Sequence, residues 1–417
     1  MLRRSLSVAA LALAVSAAPA AAVPGDVYLA DQSAGPGMSG AIFRVNLPTS
    51  QITTLAMGPP LENPADMAFD RDGNLVVADD AAAAIFRVDV ATGAISEVAS
   101  GGQLSDPWGV AFGPGGRLFV TDTGFESPAA IVFRINVNSG AKMQHASGPP
   151  LVDPAGIARE SENSFLVADV NGLAAGENGL VHRVDAASGT VTTIASGPPL
   201  TDPWGIAMDS PSSGRRALIA DANAAGGSGG ILSLDTSTGV AALLASGPPY
   251  TEPVDVAPDP GGTILVADSG EAGPGALLDY EARSAFTTTL ISGPPLVDPS
   301  SLVVEPPVCR GQTATIAGTV ASDILTGTRQ VDVISGGDGN DRIKGERSND
   351  VICGDAGNDL INGGMGADEI DGGPGKDRLN GSTGPDRLVG GTGKDRCNGK
   401  SSHHDTASGC EKLIKVP

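Results

Sequence analysis

The last quarter of the chain carries a ladder of aspartates spaced nine residues apart, without a slip. The ladder runs from Asp323 to Asp395, and a glycine follows each Asp four positions later. The residue two positions after each Asp is Leu or Ile, except at Cys397. This period fits a coil in which every copy supplies a short strand and a glycine-rich half-turn. We therefore expect a parallel β-roll with a C-terminal cap over residues 314–417, preceded by a linker and N-terminal cap at 306–313.

Each copy of this repeat supplies the kind of ligand that calcium prefers. The glycines permit φ > 0 and let backbone carbonyls converge, and the Asp adds a carboxylate, so hard oxygen ligands gather in every turn. Turns on one edge are 18 residues apart in sequence, and stacked carboxylates about 4.8 Å apart repel each other by about 1 kcal/mol in water. Such a column opposes folding without a cation. Calcium binding and folding are therefore expected to be one event.

The two edges of the roll differ in their glycines. One edge keeps both key glycines in all four copies, whereas the other edge loses the second glycine in its first two copies and regains it later. We predict the better calcium column on the first edge. The predicted metal-binding residues are Asp341, Asp359, Asp377 and Asp395 on the better edge, Asp332, Asp350, Asp368 and Asp386 on the other edge, and Gly336, Gly339, Gly354, Gly357, Gly372 and Gly375. The alternative is a roll that has kept its shape and lost its ions, an outcome that Lys376 and Lys394 beside the sites would favour.

The repeat also resembles a known family. The pattern Gly-Gly-x-Gly-x-Asp-x-U-x, in which U is aliphatic, stands for instance at Gly336-Gly337-Asp338-Gly339-Asn340-Asp341. It is similar to the hemolysin-type nonapeptide repeats of the repeats-in-toxin (RTX) proteins. The resemblance covers nine consecutive copies, and it implies bound Ca²⁺ as the cofactor.

A second, longer repeat occupies residues 25–305, with a period of about 43–50 residues. Each copy opens with an acid-Pro step, continues with a β-branched run that closes on Asp, and ends with two further strands. Four short strands in each of six copies are typical of a six-bladed β-propeller. The segment opens on a second strand, at Val27, and ends on a first strand, at Glu305. We therefore expect one blade to combine both ends and to close the ring, which leaves no exposed edge at the seam.

The longer repeat resembles the NHL-repeat type of six-bladed propeller and is more distantly similar to gluconolactonase-like propellers. The residues that carry the resemblance are a Pro-x-Gly-Ile/Val-Ala step, as at Pro107-Trp108-Gly109-Val110-Ala111, and a later Val-Ala-Asp. The expected fold class is all-β, a six-bladed β-propeller over residues 23–305 followed by the parallel β-roll. Propellers of these types include lactonases, lyases, sensor domains and binding modules, so the resemblance implies architecture and does not identify a function.

The acid-Pro loops and the loops after the Val-Ala-Asp strands are expected to lie on one face, around the channel mouth. In one interpretation, the acids there form a rim that binds a cation or basic ligand, with two tryptophans beside them as a stacking surface. In the other, each acid only satisfies the turn before its proline, and the tryptophans pack between blades. Repetition of the motif favours the structural alternative. The rim residues are Asp106, Asp153, Asp202, Glu252, Asp298, Trp108 and Trp204. Asp66 and Asp255 replace the usual glycine and are better candidates for a specific role, and the variable stretches 171–179 and 222–230 could add a binding surface.

Two classes of function follow from the propeller. The first is a recognition scaffold for an extracellular ligand, with no catalytic residue. The second is a metal-dependent hydrolase or lactonase that uses the channel acids, which three or more converging acidic or amide side chains would favour. No residue-by-residue match to the metal ligands of gluconolactonase-like enzymes can be made. A histidine-bound zinc is not expected, because the repeat contexts of His145 and His182 place neither at the channel mouth.

The chain begins with a segment typical of export. Arg3 and Arg4 precede an apolar stretch and then small residues up to Ala22, which predicts a signal peptide over residues 1–22 and a secreted, extracellular protein. The apolar stretch is too short to span a membrane. The net charge of −22, most of it in residues 23–305, argues against nucleic acid as a partner.

All four cysteines lie in the last quarter of the chain. Cys353 and Cys397 occupy regular strands too far apart along the roll for a disulfide. We therefore predict the pairs Cys309–Cys353 and Cys397–Cys410, one securing each end. A cysteine-rich metal site is the alternative, but no CxxC spacing supports it.

Overall fold

A computed structural model gives the architecture of the chain. It describes residues 25–414 except 36, 38, 124–129, 171–178, 210–214, 228, 271–273 and 400–404. The predicted signal peptide and residues 171–178 of the first variable stretch therefore lie outside the described residues. The described chain is all-β apart from 3-10 turns at Leu47–Thr49 and Pro114–Gly116 and one helical turn, α1, at Ala224–Gly227. No helix in this part of the chain is long and apolar enough to cross a membrane.

The propeller is built from six four-stranded antiparallel sheets within the described residues. Its strands are β1 (Val27–Asp31), β2 (Ala41–Asn46), β3 (Gln51–Met57), β4 (Pro64–Phe69), β5 (Leu75–Asp79), β6 (Ala84–Val88), β7 (Ile95–Ser100), β8 (Pro107–Phe112), β9 (Leu118–Asp122), β10 (Ile131–Ile135), β11 (Lys142–Ser147), β12 (Pro154–Arg159), β13 (Ser164–Asp169), β14 (Leu180–Asp185), β15 (Val191–Ser196), β16 (Pro203–Met208), β17 (Arg216–Asp221), β18 (Gly230–Asp235), β19 (Val240–Ser246), β20 (Pro253–Pro258), β21 (Ile264–Asp268), β22 (Ala276–Glu281), β23 (Phe286–Ser292) and β24 (Pro299–Val304).

The sequence pattern of each blade follows the burial of its strands. The second strand, such as Leu75–Asp79, is buried at every position because both its faces pack against neighbouring blades. The fourth strand, such as Val191–Ser196, is mostly exposed or half-buried and correspondingly polar. Apolar clusters join adjacent blades, as where Val76 and Ile85 of one blade pack with Leu118 of the next. Burying each such side chain contributes about 1.5–3 kcal/mol, so the core lies between the blades.

The ring is closed by the two ends of the repeat region, as predicted. Strand β24 pairs antiparallel with β1, with Leu302 opposite Leu29, and the sheet order of this blade is β24-β1-β2-β3. The innermost strand of blade 1 therefore comes from the end of the propeller segment and its other three strands from the start.

One aspartate holds the acid-Pro loop in every blade. In blade 2, the carboxylate of Asp79 accepts the backbone N–H groups of Glu62 at 2.8 Å and of Asn63 at 3.0 Å, the two residues before Pro64. The equivalent aspartates are all buried: Asp31, Asp79, Asp122, Asp169, Asp221 and Asp268. The Asp that ends the second strand, and not the acid of the acid-Pro step, therefore satisfies the turn.

The roll is a parallel β-solenoid with two six-stranded sheets. Its strands are β25 (Val308–Cys309), β26 (Gln312–Thr313), β27 (Ile316–Ala317), β28 (Ile324–Thr326), β29 (Val333–Ser335), β30 (Arg342–Lys344), β31 (Val351–Cys353), β32 (Leu360–Met365), β33 (Glu369–Asp371), β34 (Pro374–Gly375), β35 (Arg378–Thr383), β36 (Arg387–Val389), β37 (Thr392–Gly393), β38 (Arg396–Asn398), β39 (Thr406–Ser408) and β40 (Lys412–Ile414). The sheets are β27-β29-β31-β33-β36-β39 and β28-β30-β32-β35-β38-β40. The residue two positions after each ladder Asp, such as Ile352 or Ile361, is fully buried in a single apolar ladder between them.

Two disulfides secure the roll in the predicted pairing. Cys309 is joined to Cys353, which ties the first short hairpin to β31, and Cys397 is joined to Cys410 at the far end. Both ends of the apolar ladder are therefore covalently fixed.

The first part of the roll lies against the propeller. The backbone N–H of Val320 donates to the carbonyl oxygen of Pro260 at 3.0 Å. Pro306 and residues 313–315 line one end of the propeller channel. The linker therefore lies at that end of the channel, and the mouth on the acid-Pro face lies at the other.

Candidate metal centre and propeller channel

The turn aspartates of the roll share one hydrogen-bonding arrangement. The backbone N–H of Asp341 donates to Oδ1 of Asp359 at 2.8 Å, and that of Asp359 donates to Oδ1 of Asp377 at 2.9 Å. The second oxygen, Oδ2, is buried and has no hydrogen-bond partner among the described residues. This arrangement occurs at Asp341, Asp350, Asp359, Asp368, Asp377, Asp386 and Asp395. A buried carboxylate oxygen without a donor is costly, so each of these turns is suited to hold a cation or a proton.

Backbone carbonyls meet these oxygens where the glycines lie. A Cβ placed on Gly354 would lie 2.6 Å from Oδ2 of Asp359 and 2.6 Å from the carbonyl oxygen of Gly372. A Cβ on Gly372 would in turn lie 2.6 Å from Oδ2 of Asp377. Only glycine leaves room at these positions for carboxylate and carbonyl oxygens to converge, which is a donor set that suits Ca²⁺.

The ligands of such a site are mixed. No group of three or more His, Cys, Asp or Glu side chains is placed to hold a metal ion in the described ranges. Carbonyl oxygens must therefore supply much of the coordination, as the glycine positions indicate. The residues present fit calcium bound between successive turns of one edge.

Burial and mutual repulsion oppose ionisation of the column. Burial, together with the neighbouring charges of Asp377 and Asp341, raises the pKa of Asp359 to about 7, against the hydrogen bond from the Asp341 N–H. Burial likewise raises the pKa of Asp350 to about 8. A bound cation would reverse both effects, because it favours the charged form.

In the first turn on each edge a threonine donates to Oδ2 of the aspartate, whereas Oδ1 of Asp323 has no hydrogen-bond partner among the described residues. On one edge, Thr328 donates its backbone N–H at 2.6 Å and its hydroxyl at 2.9 Å to Oδ2 of Asp332. On the other, Thr319 makes the same two bonds to Oδ2 of Asp323. Asp332 remains a predicted ligand, but an ion there would have to replace these bonds. The signal in the sequence was a threonine directly after the first glycine of the repeat, as in Gly327-Thr328, and its role was not anticipated.

Backbone conformation distinguishes the two edges. On the edge predicted to be weaker, Glu346, Ser348 and Ser382 adopt positive φ angles of 77°, 75° and 77°. On the better edge, the residue other than glycine that does so is Asp355, at 60°. A left-handed conformation costs about 1–2 kcal/mol for such residues, so the weaker edge carries more strain. Lys376 and Lys394, on the better edge, are exposed.

The propeller channel encloses a cavity of about 1040 Å³. Around it, the third residue of each innermost strand, counted from the acid-Pro proline, forms a ring. From blade 1 to blade 6, the ring residues are Ser301, Asp66, Gly109, Gly156, Gly205 and Asp255. The three polar side chains are neighbours, on blades 6, 1 and 2, and the three glycines occupy the opposite half.

Asp66 and Asp255 each reach the next blade. Oδ2 of Asp66 accepts the N–H of Val110 at 2.8 Å, and Oδ2 of Asp255 accepts the N–H of Leu302 at 2.9 Å. Ser301 donates its hydroxyl to Oδ1 of Asp66 at 2.8 Å. Burial raises the pKa of both carboxyl groups, and the charge of Asp66 raises that of Asp255 further. The pair thus has a structural role in linking blades and also forms a polar wall of the cavity.

Three rim acids accept a hydrogen bond from one of the two residues that follow the second strand of their own blade. Asn223 donates to Asp202 at 2.8 Å, Ser269 donates to Glu252 at 2.7 Å, and the hydroxyl of Thr123 donates to Asp106. Glu252 and Asp298 line the cavity. Burial, with the charges of Asp31 and Glu252, raises the pKa of Asp298.

Trp108 and Trp204 lie against each other, with ring centroids 4.8 Å apart, and both line the cavity. The sequence placed the two residues on the rim but did not predict their contact, which spans blade 4. His182 is fully buried within its sheet, 3.3 Å from Asp169, and His145 lies on an outer strand. Neither histidine is among the described residues that line the cavity.

Comparison with known proteins bears on both parts. Residues 317–352, 345–379 and 371–402 match the RTX calcium-binding nonapeptide repeat. No curated protein sequence matches the chain.

Solved structures resemble the propeller. A chain in a nidogen/laminin complex is 16% identical, with a TM-score of 0.53, over 67% of this chain and 98% of its own. TolB from Acinetobacter baumannii is 13% identical, with a TM-score of 0.52, over 67% of this chain and 66% of its own. Virginiamycin B lyase from Staphylococcus aureus is 19% identical, with a TM-score of 0.45, over 60% of this chain and 77% of its own. At these identities the first two likenesses show the fold alone. The chain therefore joins a six-bladed β-propeller to RTX calcium-binding nonapeptide repeats.

Proposed function

We propose that this chain is an exported protein whose roll folds as it binds calcium and whose propeller is a recognition scaffold for an extracellular ligand. The observation that carries the calcium part is the column of buried, unpartnered Oδ2 atoms that begins at Asp341 and Asp350. Calcium supplies the positive charge that these oxygens lack, and the stacked turns supply the carbonyl oxygens.

An extracellular setting is supported by two features of the roll and one of the sequence. Structural disulfides are typical of oxidising compartments, and both cysteine pairs of the roll are joined. Extracellular calcium modules work at about 10⁻⁴–10⁻³ M calcium, a concentration that the cytosol does not offer. The predicted signal peptide over residues 1–22 agrees with this setting.

The scaffold role is supported by the form of the channel. It has a mouth on the acid-Pro face, and its two halves differ in chemistry. Asp66 and Asp255 meet at the ring of third residues, and Glu252 and Asp298 line the cavity nearer the mouth, but no three acidic side chains are placed to hold a metal ion among the described residues. The hydrolase alternative therefore gains no specific observation.

The calcium proposal can be tested by hydrogen exchange on the chain beginning at Val23. Exchange is followed by mass spectrometry with and without calcium, peptide by peptide. Amides of the turns from Asp341 to Asp395 should become protected only with calcium, while those of the propeller strands should stay protected in both conditions. Magnesium at the same concentration is the control, since its small octahedral shell suits these turns poorly. Equal protection of the roll with and without calcium would contradict the proposal.

A further inference from the structure

The propeller channel holds a cavity of the size that small ligands occupy. Its volume of about 1040 Å³ lies just above the range for small-molecule pockets, about 300–1,000 Å³. Pro306 and residues 313–315 line its lower end, and the lining at the other end reaches Ser269 and Asp298 on the acid-Pro face. A ligand can therefore enter from the acid-Pro face.

The geometry points to the upper part of this cavity as a binding site for a small organic ammonium ion that carries an apolar or aromatic body. The inference rests on the proposed scaffold role of the propeller and names the class of ligand that the scaffold takes. It is carried by two unlike walls that face each other across the channel.

The first wall is aromatic. Trp108 and Trp204 lie in contact and line the cavity from blades 3 and 5. Gly109, Gly156 and Gly205 follow on the same half of the ring, and a Cβ on any of them would collide with the next blade. These three positions therefore carry no side chain that could cover the indole rings on the side of the ring of third residues. Half-buried indole faces attract cations and stack on planar groups.

The second wall is acidic, and a bound cation favours the charged form of its carboxyl groups. Asp255, Ser301 and Asp66 lie on the opposite half, and Glu252 and Asp298 extend this wall to the mouth. Backbone N–H groups fix the two ring carboxylates, but a carboxylate oxygen can accept a second hydrogen bond. An ammonium group with its N–H or polarised C–H donors can therefore bind there without moving either side chain.

The same bonds favour an organic cation over a metal ion. Each oxygen of Asp66 and Asp255 already accepts a backbone N–H, from Met67, Val110, Val256 and Leu302. A calcium ion needs six to eight oxygen ligands, and no three acidic side chains of this wall are placed to hold a metal ion among the described residues. Indole rings also contribute nothing to binding a hydrated metal ion, whereas they complement an alkylated or aryl ammonium ion.

Positive charge at the floor limits the site to the upper part. Arg71 and Arg159 line the lower end of the cavity, beyond the ends of strands and next to the linker. They repel a cation from the floor, while the acids of the second wall attract it at the mouth. The acidic charge of residues 23–305 adds a field that draws cations toward this face.

The chain contains two tryptophans, and both lie in this cavity, so its indole emission reports on the site. The experiment titrates the full chain, at saturating calcium, with choline and with phenethylamine. The matched control is 3,3-dimethyl-1-butanol, which has the shape of choline without its charge. We expect a saturable change of emission with both cations and at least tenfold weaker binding of the alcohol. No saturable change with either cation, or equal binding of choline and the alcohol, would overturn the inference.

Two variants locate the cation. The double substitution Asp66→Asn with Asp255→Asn should weaken choline binding at least tenfold, measured by calorimetry. If the loss of inter-blade bonds unfolds this variant, the mouth pair Glu252→Gln with Asp298→Asn tests the same wall without touching a backbone bond, and unchanged affinity there would contradict it. A saturable response to Mn²⁺ that choline does not displace would overturn the organic assignment. Calcium-dependent protection of the roll is read from other residues, so failure of this site and failure of the calcium proposal are distinguishable.

Discussion

Thr328 donates both its hydroxyl and its backbone N–H to the same oxygen of Asp332, at 2.9 and 2.6 Å. The equivalent oxygen of Asp350, one turn further along the same edge, has no hydrogen-bond partner among the described residues. Threonine thus takes the place of a cation at the start of the roll. We therefore predict that the turn at Asp332 depends less on calcium than the turn at Asp350 does.

The first prediction concerns this threonine. Thr328→Val removes the hydroxyl and keeps the shape, so it should destabilise the first turns by about 1 kcal/mol in the absence of calcium. Hydrogen exchange of amides near Asp332 in calcium-free buffer measures the effect. Thr392→Val is the matched control, because Thr392 is exposed in a later turn. A similar change in both variants would show that the hydroxyl bond has no special role.

The second prediction compares the two edges of the roll. Replacing Asp359 and Asp377 by Asn should lower calcium affinity more than replacing Asp368 and Asp386, since the second edge already carries strained turns. Calcium titration by calorimetry on the two double variants gives the comparison. Equal losses of affinity would refute the ranking of the edges.

The third prediction concerns the disulfides. The chain-entropy model gives a stabilisation of about 4 kcal/mol for the longer loop closed by Cys309–Cys353 and about 3 kcal/mol for the loop closed by Cys397–Cys410. Replacing the first pair by Ser should therefore cost more stability of the roll than replacing the second, in denaturant titrations at saturating calcium. The reverse order would mean that the C-terminal cap, and not the N-terminal one, limits unfolding.

The fourth prediction uses the channel carboxyl groups. Because burial raises the pKa of Asp255, and the charge of Asp66 raises it further, the folded chain binds protons more tightly there than the unfolded chain does. The contribution of the Asp66 and Asp255 carboxyl groups to stability is complete below the ordinary carboxyl pKa of about 4. It falls as the pH rises through the raised pKa values of these two groups. Asp255→Asn should therefore reduce the loss of propeller stability between pH 5 and pH 8. Denaturant unfolding followed by tryptophan emission measures it.

The control for that prediction is Asp89→Asn, since Asp89 is an exposed carboxylate whose pKa is lowered by its hydrogen bonds to Thr92. Its replacement should not flatten the pH dependence over this range. The groups that face Asp255 from packed strands are Asp66 and Ser301. If the pH dependence of stability flattens in the Asp255 variant and not in the Asp89 variant, the effect is assigned to the pair of Asp66 and Asp255.

Periodicity was enough to predict the architecture. The nine-residue spacing sets the alternation of strand and turn, and the complementary phase of Val27 and Glu305 predicts ring closure, because both depend on local pattern alone. The disulfide pairing followed from the rise per strand. The special character of Asp66 and Asp255 was visible as a break in the repeat, where glycine was expected.

The rest depends on contacts between distant repeats. The pairing of Trp108 with Trp204 requires the radius of the ring, which no single blade determines. The capping of each acid-Pro loop by the second-strand Asp requires the register of two strands. The position of Pro306 in the channel lining depends on how the roll lies against the propeller. The composition of the linker alone does not specify this arrangement.

The pairing of β24 with β1 sets a delay during synthesis. Strand β1 is among the first parts of the propeller to be made, and its partner β24 follows more than 260 residues later, which at about 5–20 residues per second takes roughly 15 to 60 s. Throughout that time the apolar edge of Val27–Asp31 lacks its final neighbour and is open to wrong pairing. The last strand of the ring leads directly into the linker, so the nascent ring completes itself only when the roll is about to emerge.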